Sequence, residues 1–164
     1  MTQVARSKTS LRIRRVSTRD SAEWLRMRRA LWPTATASQH RGDMREYRRQ
    51  RSKAVFVAAR STGKLAGFLE ASIRSVADGC ATAPVGYIEG WYVDADVRRQ
   101  GIGERLVRAA EAWAQAKQMR EMGSDCLLDN DVSRRAHVAI GYEERERLIH
   151  FRKWLSSRRP RTNR

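Results

Sequence analysis

The stretch GYIEGWYVDADVRRQGIGERLVRAAEAW, residues 86–113, holds three kinds of local structure without a spacer. Residues 86–93 carry the aromatic and β-branched density of a strand in Tyr87, Ile88, Trp91, Tyr92 and Val93, and the Asp94-Ala95-Asp96 cluster ends it. Next, Arg98-Arg99-Gln100-Gly101-Ile102-Gly103 sets two glycines one residue apart, which lets the backbone turn tightly with its N–H groups inward. From Glu104 onward, Leu106, Val107, Ala110, Trp113 and Ala114 fall on one helical face. Strand, basic glycine loop and helix follow one another. Their junction offers unpaired N–H donors, the positive end of a helix dipole and guanidinium groups, a combination that suits a pyrophosphate.

Two glycines between a strand and a helix serve chain geometry as readily as a ligand, so the surrounding sequence has to decide. Leu106 stands where a Rossmann fingerprint needs its third glycine, and no Gly-Lys-Ser/Thr of a Walker loop occurs. With 164 residues, 41% of them hydrophobic, the chain suits one globular domain with a real core. Its formal charge of +16 gathers near the ends, in Arg6, Lys8, Arg12, Arg14 and Arg15 and again in Arg152, Lys153, Arg158, Arg159, Arg161 and Arg164. A basic tail attracts polyanions without any evolved site. Zinc-finger spacing is absent and the aromatics fall on apolar faces rather than alternating with basic residues, so no specific nucleic-acid partner is expected. Cys80 and Cys126 form no paired pattern, which predicts reduced thiols and no metal. Lacking a signal peptide and any long apolar run, the chain is expected to be soluble and cytoplasmic, with no membrane association.

Along the chain, residues 1–10 read as a flexible extension, and Leu11 to Val16 alternate imperfectly as a first strand. Asp20 and Glu23 make a candidate capping box for a helix carrying Trp24, Leu25, Arg28 and Leu31, which Pro33 stops. Trp32, at that break, is held where a pocket wall would be. Residues 34–51 are polar, with a helix expected over 43–51 on a mobile, solvated face. Residues 54–59 and 65–73 predict a hairpin across Ser61-Thr62-Gly63-Lys64, and residues 75–84 a loop. After a helix over 104–117 come a strand over 121–127, a short helix over 131–139 ended by Gly141, and a terminal hairpin of 142–147 with 149–154. Residues 156–164 complete the chain as a basic tail. The order β, α, α, β, β, β, α, β, α, β, β predicts a mixed α/β sheet of about six to seven strands with flanking helices, in a single domain over 11–155.

The pattern Arg98-x-x-Gly101-x-Gly103, set between a strand and an amphipathic helix, resembles the acetyl-CoA pyrophosphate loop of the GNAT acetyltransferase superfamily. Narrower stretches, Leu31-Trp32-Pro33, Tyr87-Ile88-Glu89-Gly90-Trp91-Tyr92-Val93, Glu121-Met122-Gly123-Ser124-Asp125, Asn130, Ala139-Ile140-Gly141-Tyr142-Glu143-Glu144 and Phe151-Arg152-Lys153, are similar to the aminoglycoside 6'-N-acetyltransferases. The resemblance spans roughly residues 11–155. It implies a GNAT fold with a V-shaped splay after the central strand, direct acetyl transfer from acetyl-CoA to the 6'-amine of a drug such as kanamycin or tobramycin, and a homodimer. It also implies that Trp32 holds the drug, that Glu89, Asp125 and Glu146 are its carboxylates, and that Trp91, Tyr92, Val93, Arg98, Arg99, Gln100, Gly101, Ile102, Gly103 and Asn130 bind acetyl-CoA.

Elementary charge arguments agree with these assignments. An aminoglycoside is a polycation at neutral pH, so its pocket needs carboxylates despite the chain's net charge, whereas acetyl-CoA needs the positive loop. Glu89 is the candidate base. The proton donor to the departing thiolate stays open: many superfamily members have a tyrosine four residues before the glycine at Gly141, where this chain has His137, which either donates a proton or caps its helix. Three readings follow: antibiotic acetylation, acetylation of another cationic amine such as a polyamine, a lysine or an N-terminus, and a non-catalytic binding module.

Overall fold

The computed structural model describes residues 11–155, so the expected N-terminal extension and basic tail lie outside the described residues. The chain divides into two compact units, the first ending at Leu127. Within it run β1 (Arg12–Arg15), α1 (Ser21–Leu31), α2 (Ala37–Arg49), β2 (Lys53–Ala59), β3 (Leu65–Arg74), β4 (Val85–Val93), α3 (Ile102–Ala116) and β5 (Met122–Ser124). The strands form one sheet in the order β1-β2-β3-β4-β5. All pairs are antiparallel except β4 with β5. The hairpin of β2 and β3 is the one the sequence predicts.

Alternation along β2 assigns the two faces. Val55, Val57 and Ala59 join Trp24 and Met27 of α1, Met44 of α2 and Phe68 of β3 in one core, while α3 buries Leu106, Val107, Ala110 and Ala114 on the other side. That second contact is close, because a Cβ on Gly67 of β3 would lie 3.3 Å from the Leu106 side chain. The helix starts differ from the expected ones. Ser17 and Asp20 form the capping box before α1, with Ser17 N–H donating to Asp20 Oδ2 at 2.7 Å, so Asp20 does not pair with Glu23. Arg14 adds two bonds to the same carboxylate, and these hold the Asp20 pKa well below the usual range against its burial.

Two features of β4 position the site. Its pairing with β3 shifts register between Glu70↔Gly90 and Ala71↔Ile88, which leaves Glu89 as the extra residue of a β-bulge. On its other edge β5 pairs only along Gly86, Tyr87 and Ile88, so from Glu89 to Val93 that edge has no strand neighbour among the described residues. This is the splay that the sequence resemblance implies.

The second unit begins at Leu128 and contains α4 (Asp131–Ala139), which the sequence predicts with the same bounds. The expected terminal hairpin is not there: residues 142–155 form no strand, and the sheet has five strands rather than six or seven. A lone hairpin is marginal in water, and Leu148, Ile149, Phe151 and Trp154 remain exposed instead of burying a face. The expected strand over 121–127 is likewise cut to Met122–Ser124. No described helix is long and apolar enough to cross a membrane.

Candidate active site

At the end of β4 the chain turns through a short 3-10 helix, Ala95–Val97, into the glycine loop. Arg26 of α1 grips Asp94 at 3.0 Å and Arg60 grips Asp96 at 2.8 Å, which anchors the turn to the sheet. Arg98 Nε then donates to the Val93 carbonyl at 2.9 Å, and Arg99 and Gly101 take positive φ values of 58° and 76°. The two glycines have different duties. A Cβ on Gly101 would meet nothing within 4 Å, so its task is the left-handed turn beside open space. A Cβ on Gly103 would fall 2.6 Å from the Trp91 ring, so its task is to let the first turn of α3 rest on that indole. The first N–H groups of α3 lack intrahelical acceptors, and beside Arg98 and Arg99 they make an anion-binding end.

Beside the other part of β4 lies a cleft of about 380 Å³, lined by residues of α1, α2, β2, β3 and β4. Its floor is a buried ion network. Glu70, 1% exposed, accepts from Trp24 Nε1 at 2.8 Å and from Arg28 Nη1 at 2.5 Å. Arg28 also reaches Asp43 at 2.5 Å and donates from Nε to His40 Nδ1 at 3.4 Å, and its guanidinium lies 4.6 Å from the Trp32 ring centroid. Burial pushes the Glu70 pKa up to about 7, against the pull of Arg28. Burial, helped by the Arg28 charge, lowers that of His40, which keeps the imidazole neutral at pH 7 as the acceptor of Arg28. Trp32 sets the outer edge of its benzo ring on the strand: a Cβ on Gly90 would lie 2.4 Å from it. Gly90 is therefore the seat of Trp32.

Glu89 lines the same cleft. Ser72 Oγ donates to its Oε1 at 2.5 Å, Arg74 Nε to the same oxygen at 2.9 Å, and Arg74 Nη2 to Oε2 at 2.5 Å. Burial alone raises the Glu89 pKa, but the bonds and charges of Arg74 and Ser72 outweigh it and leave the carboxyl below its ordinary value. Arg74 stacks on Tyr87 with its guanidinium 3.4 Å from the ring centroid, and Tyr87 OH donates to Asp125 at 2.8 Å. Glu89 and Asp125 are thus joined through one cation and one phenol.

The profile of the acetyltransferase (GNAT) family matches residues 24–142. The chain belongs to that family. It is 42% identical over 146 residues to the aminoglycoside N(6')-acetyltransferase type 1 of Klebsiella aerogenes, covering 87% of this chain and 96% of that protein. Among solved structures, AAC(6')-Ih from Acinetobacter baumannii superposes with a TM-score of 0.85 at 34% identity, over 90% of this chain and 100% of that one. AAC(6')-Iy, solved with a bisubstrate analogue of CoA and acetylneamine, superposes with a TM-score of 0.84 at 34% identity, over 88% and 99% of the two chains.

In this GNAT chain the residues singled out from sequence separate into groups. Trp32 and Glu89 meet in the cleft, and Asp125 joins Glu89 through Arg74 and Tyr87. Within the strand segment expected to bind acetyl-CoA, the Trp91 ring underlies Gly103 and the Tyr92 ring packs 6.3 Å from Phe68. Arg98 and Gln100 brace the loop by donating to backbone carbonyls, and Ile102 is buried beneath it. In the second unit, Asn130 caps α4 by accepting from Ser133 N–H at 3.1 Å, and Glu146 is exposed outside any regular element. His137 Nδ1 lies 2.8 Å from the Ser133 carbonyl one turn back in its own helix, and its ring packs edge-on against Tyr142.

Sequence reasoning missed the cleft's α2 wall, and with it His40, Asp43, Glu46 and Tyr47. The stretch it read as a solvated face forms α2, which buries His40 and Met44. The spacing of His40, Met44 and Tyr47 at i, i+4 and i+7 carried the signal. Arg28, Glu70 and Arg74 had none, because their roles depend on which strands pair.

Proposed function

We propose that this chain transfers the acetyl group of acetyl-CoA to the 6'-amine of aminoglycoside antibiotics, conferring resistance, by direct attack in a ternary complex. One observation carries this reading within the family: Trp32 and Glu89 line a single cleft on the same strand that leads into the glycine loop. Acetyl-CoA is held by its pyrophosphate on the loop 98–103 and by its pantetheine on the free edge of β4 at 91–93. The drug lies in the cleft against Trp32, with its ammonium groups toward Glu89 and Asp125; for Asn130 as a donor contact and Glu146 as a further drug carboxylate, the support is the sequence resemblance.

Glu89 takes a proton from the 6'-ammonium, directly or through water. The amine lone pair then attacks the thioester carbonyl carbon; the C–N bond forms, the C–S bond breaks, and the thiolate receives a proton. In the free protein Arg74 and Ser72 hold the Glu89 pKa below its ordinary value, so Glu89 meets the drug as a carboxylate, and positioning supplies most of the rate. His137, its ring oriented by the Ser133 carbonyl at Nδ1, is a candidate for the group that gives the thiolate its proton.

The same reading carries a cytoplasmic homodimer over a single catalytic domain, supported by the exposed Leu148, Ile149, Phe151 and Leu155. Thiol release from acetyl-CoA, measured with kanamycin, tobramycin, spermine and a basic peptide panel, tests the activity. Turnover is expected with the two drugs. Turnover confined to spermine or peptides would give the place to acetylation of another cationic amine.

A further inference from the structure

Arg74 and Arg28 both hold a carboxylate of the central strands, yet they are held differently. Arg28 is buried, its side chain 4% exposed, and fixed by Glu70 of β3 and by Asp43 and His40 of α2. Arg74 is the last residue of β3, its side chain is 39% exposed, and it rests on Glu89 and the Tyr87 ring alone. Partly exposed ion pairs hold weakly, and an arginine at a strand end can rotate away without disturbing the sheet. What Arg74 now fills is a cation site in its own right: a carboxylate at the bulge, an aromatic face, and a second carboxylate, Asp125, bonded to the edge of that ring.

We propose that Arg74 is an internal cation occupying the ammonium subsite between Glu89, Tyr87 and Asp125, and that a polycationic acceptor takes this subsite by displacing it. The inference rests on the acetyl-transfer reading above and adds a basis for selectivity. A monocationic amine would exchange one cation for another and gain little. A polycation has further charges to add to the outer side of Asp43 and Glu46 on the α2 wall, which are paired inward with Arg28 and Lys53 but whose side chains are 52% and 47% exposed. Arg74 is thus a specificity-determining residue that screens acceptors by their number of charges.

Two measurements test it. In the wild-type protein, the Arg74 Nε–H resonance should be protected by its bond to Glu89 and lose that protection when kanamycin is added; protection that persists at saturation overturns the displacement. In Arg74→Met, the KM for kanamycin should fall by about tenfold, Arg74→Lys should stay near wild type, and guanidinium chloride should raise the KM of Arg74→Met while a matched sodium chloride control does not. A normally folded Arg74→Met protein whose kanamycin KM is unchanged or higher, or that shows no guanidinium effect, overturns the inference. Wild-type protein that turns over no aminoglycoside would instead remove the functional reading on which it rests.

Discussion

The glycine loop and the strand end before it are one continuous run of chain from Trp91 to Gly103, whereas the cleft gathers Arg28 from α1, Trp32 at its end, Asp43 and Tyr47 from α2, Glu70 from β3 and Glu89 from β4. The glycine turn is set by its own residues, through the positive φ of Gly101 and the contact of Gly103 with Trp91, with Arg26 and Arg60 anchoring the segment before it. The cleft's conformation is set by registers between distant strands and by helices laid over them. The difference predicts that single changes in the loop act locally and steeply, while changes in the cleft spread through ion networks and act in smaller steps.

The steepest case is Gly101→Asp. It forces an L side chain into a left-handed turn and brings a negative charge to the phosphate site, so acetyl-CoA affinity should drop at least a hundredfold, ~3 kcal/mol, with little change in drug binding. Calorimetry on the folded variant decides it. Equal losses for both substrates would break the separation of the two sites.

The cleft floor should respond to pH instead. Glu70 has a folded pKa raised to about 7, so between its ordinary value and that one the native state holds a proton the unfolded chain has released. The stability this contributes is complete below the unfolded pKa and is lost as pH rises through about 7. Relative to Glu70→Gln, the wild type should therefore lose about 3 kcal/mol of unfolding free energy from pH 4.5 to 7.5. Urea midpoints across that range measure it, and parallel curves would show that Arg28 fully compensates the buried charge. Glu89, one bulge away, has the opposite sign: its pKa is lowered, so its contribution is present at neutral pH and lost on acidification.

That contrast also explains what was legible in advance. Helix α4, the β2–β3 hairpin and the loop junction announce themselves through neighbours in sequence. The bulge at Glu89, the Arg74 clamp and the seat of Trp32 on Gly90 come from a register shift that no periodicity records. The terminal segment fails in the reverse direction: its residues 149–154 have strand-like composition, but no partner strand lies beside them to complete a sheet in the described chain.

Asp125→Asn sits between the two regimes. It keeps an acceptor for Tyr87 OH and removes one charge from the acceptor subsite, so the drug KM should rise about tenfold, ~1.4 kcal/mol, with acetyl-CoA KM nearly constant. Glu89→Gln should lower kcat as well, because it also removes the group that takes the 6'-ammonium proton. Steady-state kinetics with both substrates varied separates the two outcomes.

The smallest effect belongs to Thr36→Ala, at the start of the helix that the sequence read as a mobile surface. Thr36 Oγ1 accepts from Gln39 N–H at 3.2 Å while Gln39 Oε1 accepts from Thr36 N–H at 2.7 Å, and this box fixes the end of α2 that carries His40 and Asp43 toward Arg28. Losing it should lower stability by about 1 kcal/mol. If α2 is a true wall of the acceptor cleft, the drug KM should also rise, by roughly twofold, while the acetyl-CoA KM stays put, since α2 has no part in the glycine loop. Denaturant melts and paired KM measurements give both numbers. A stability loss with no change in drug KM would return α2 to the role of an outer face and confine the acceptor site to β3, β4 and the Trp32 corner.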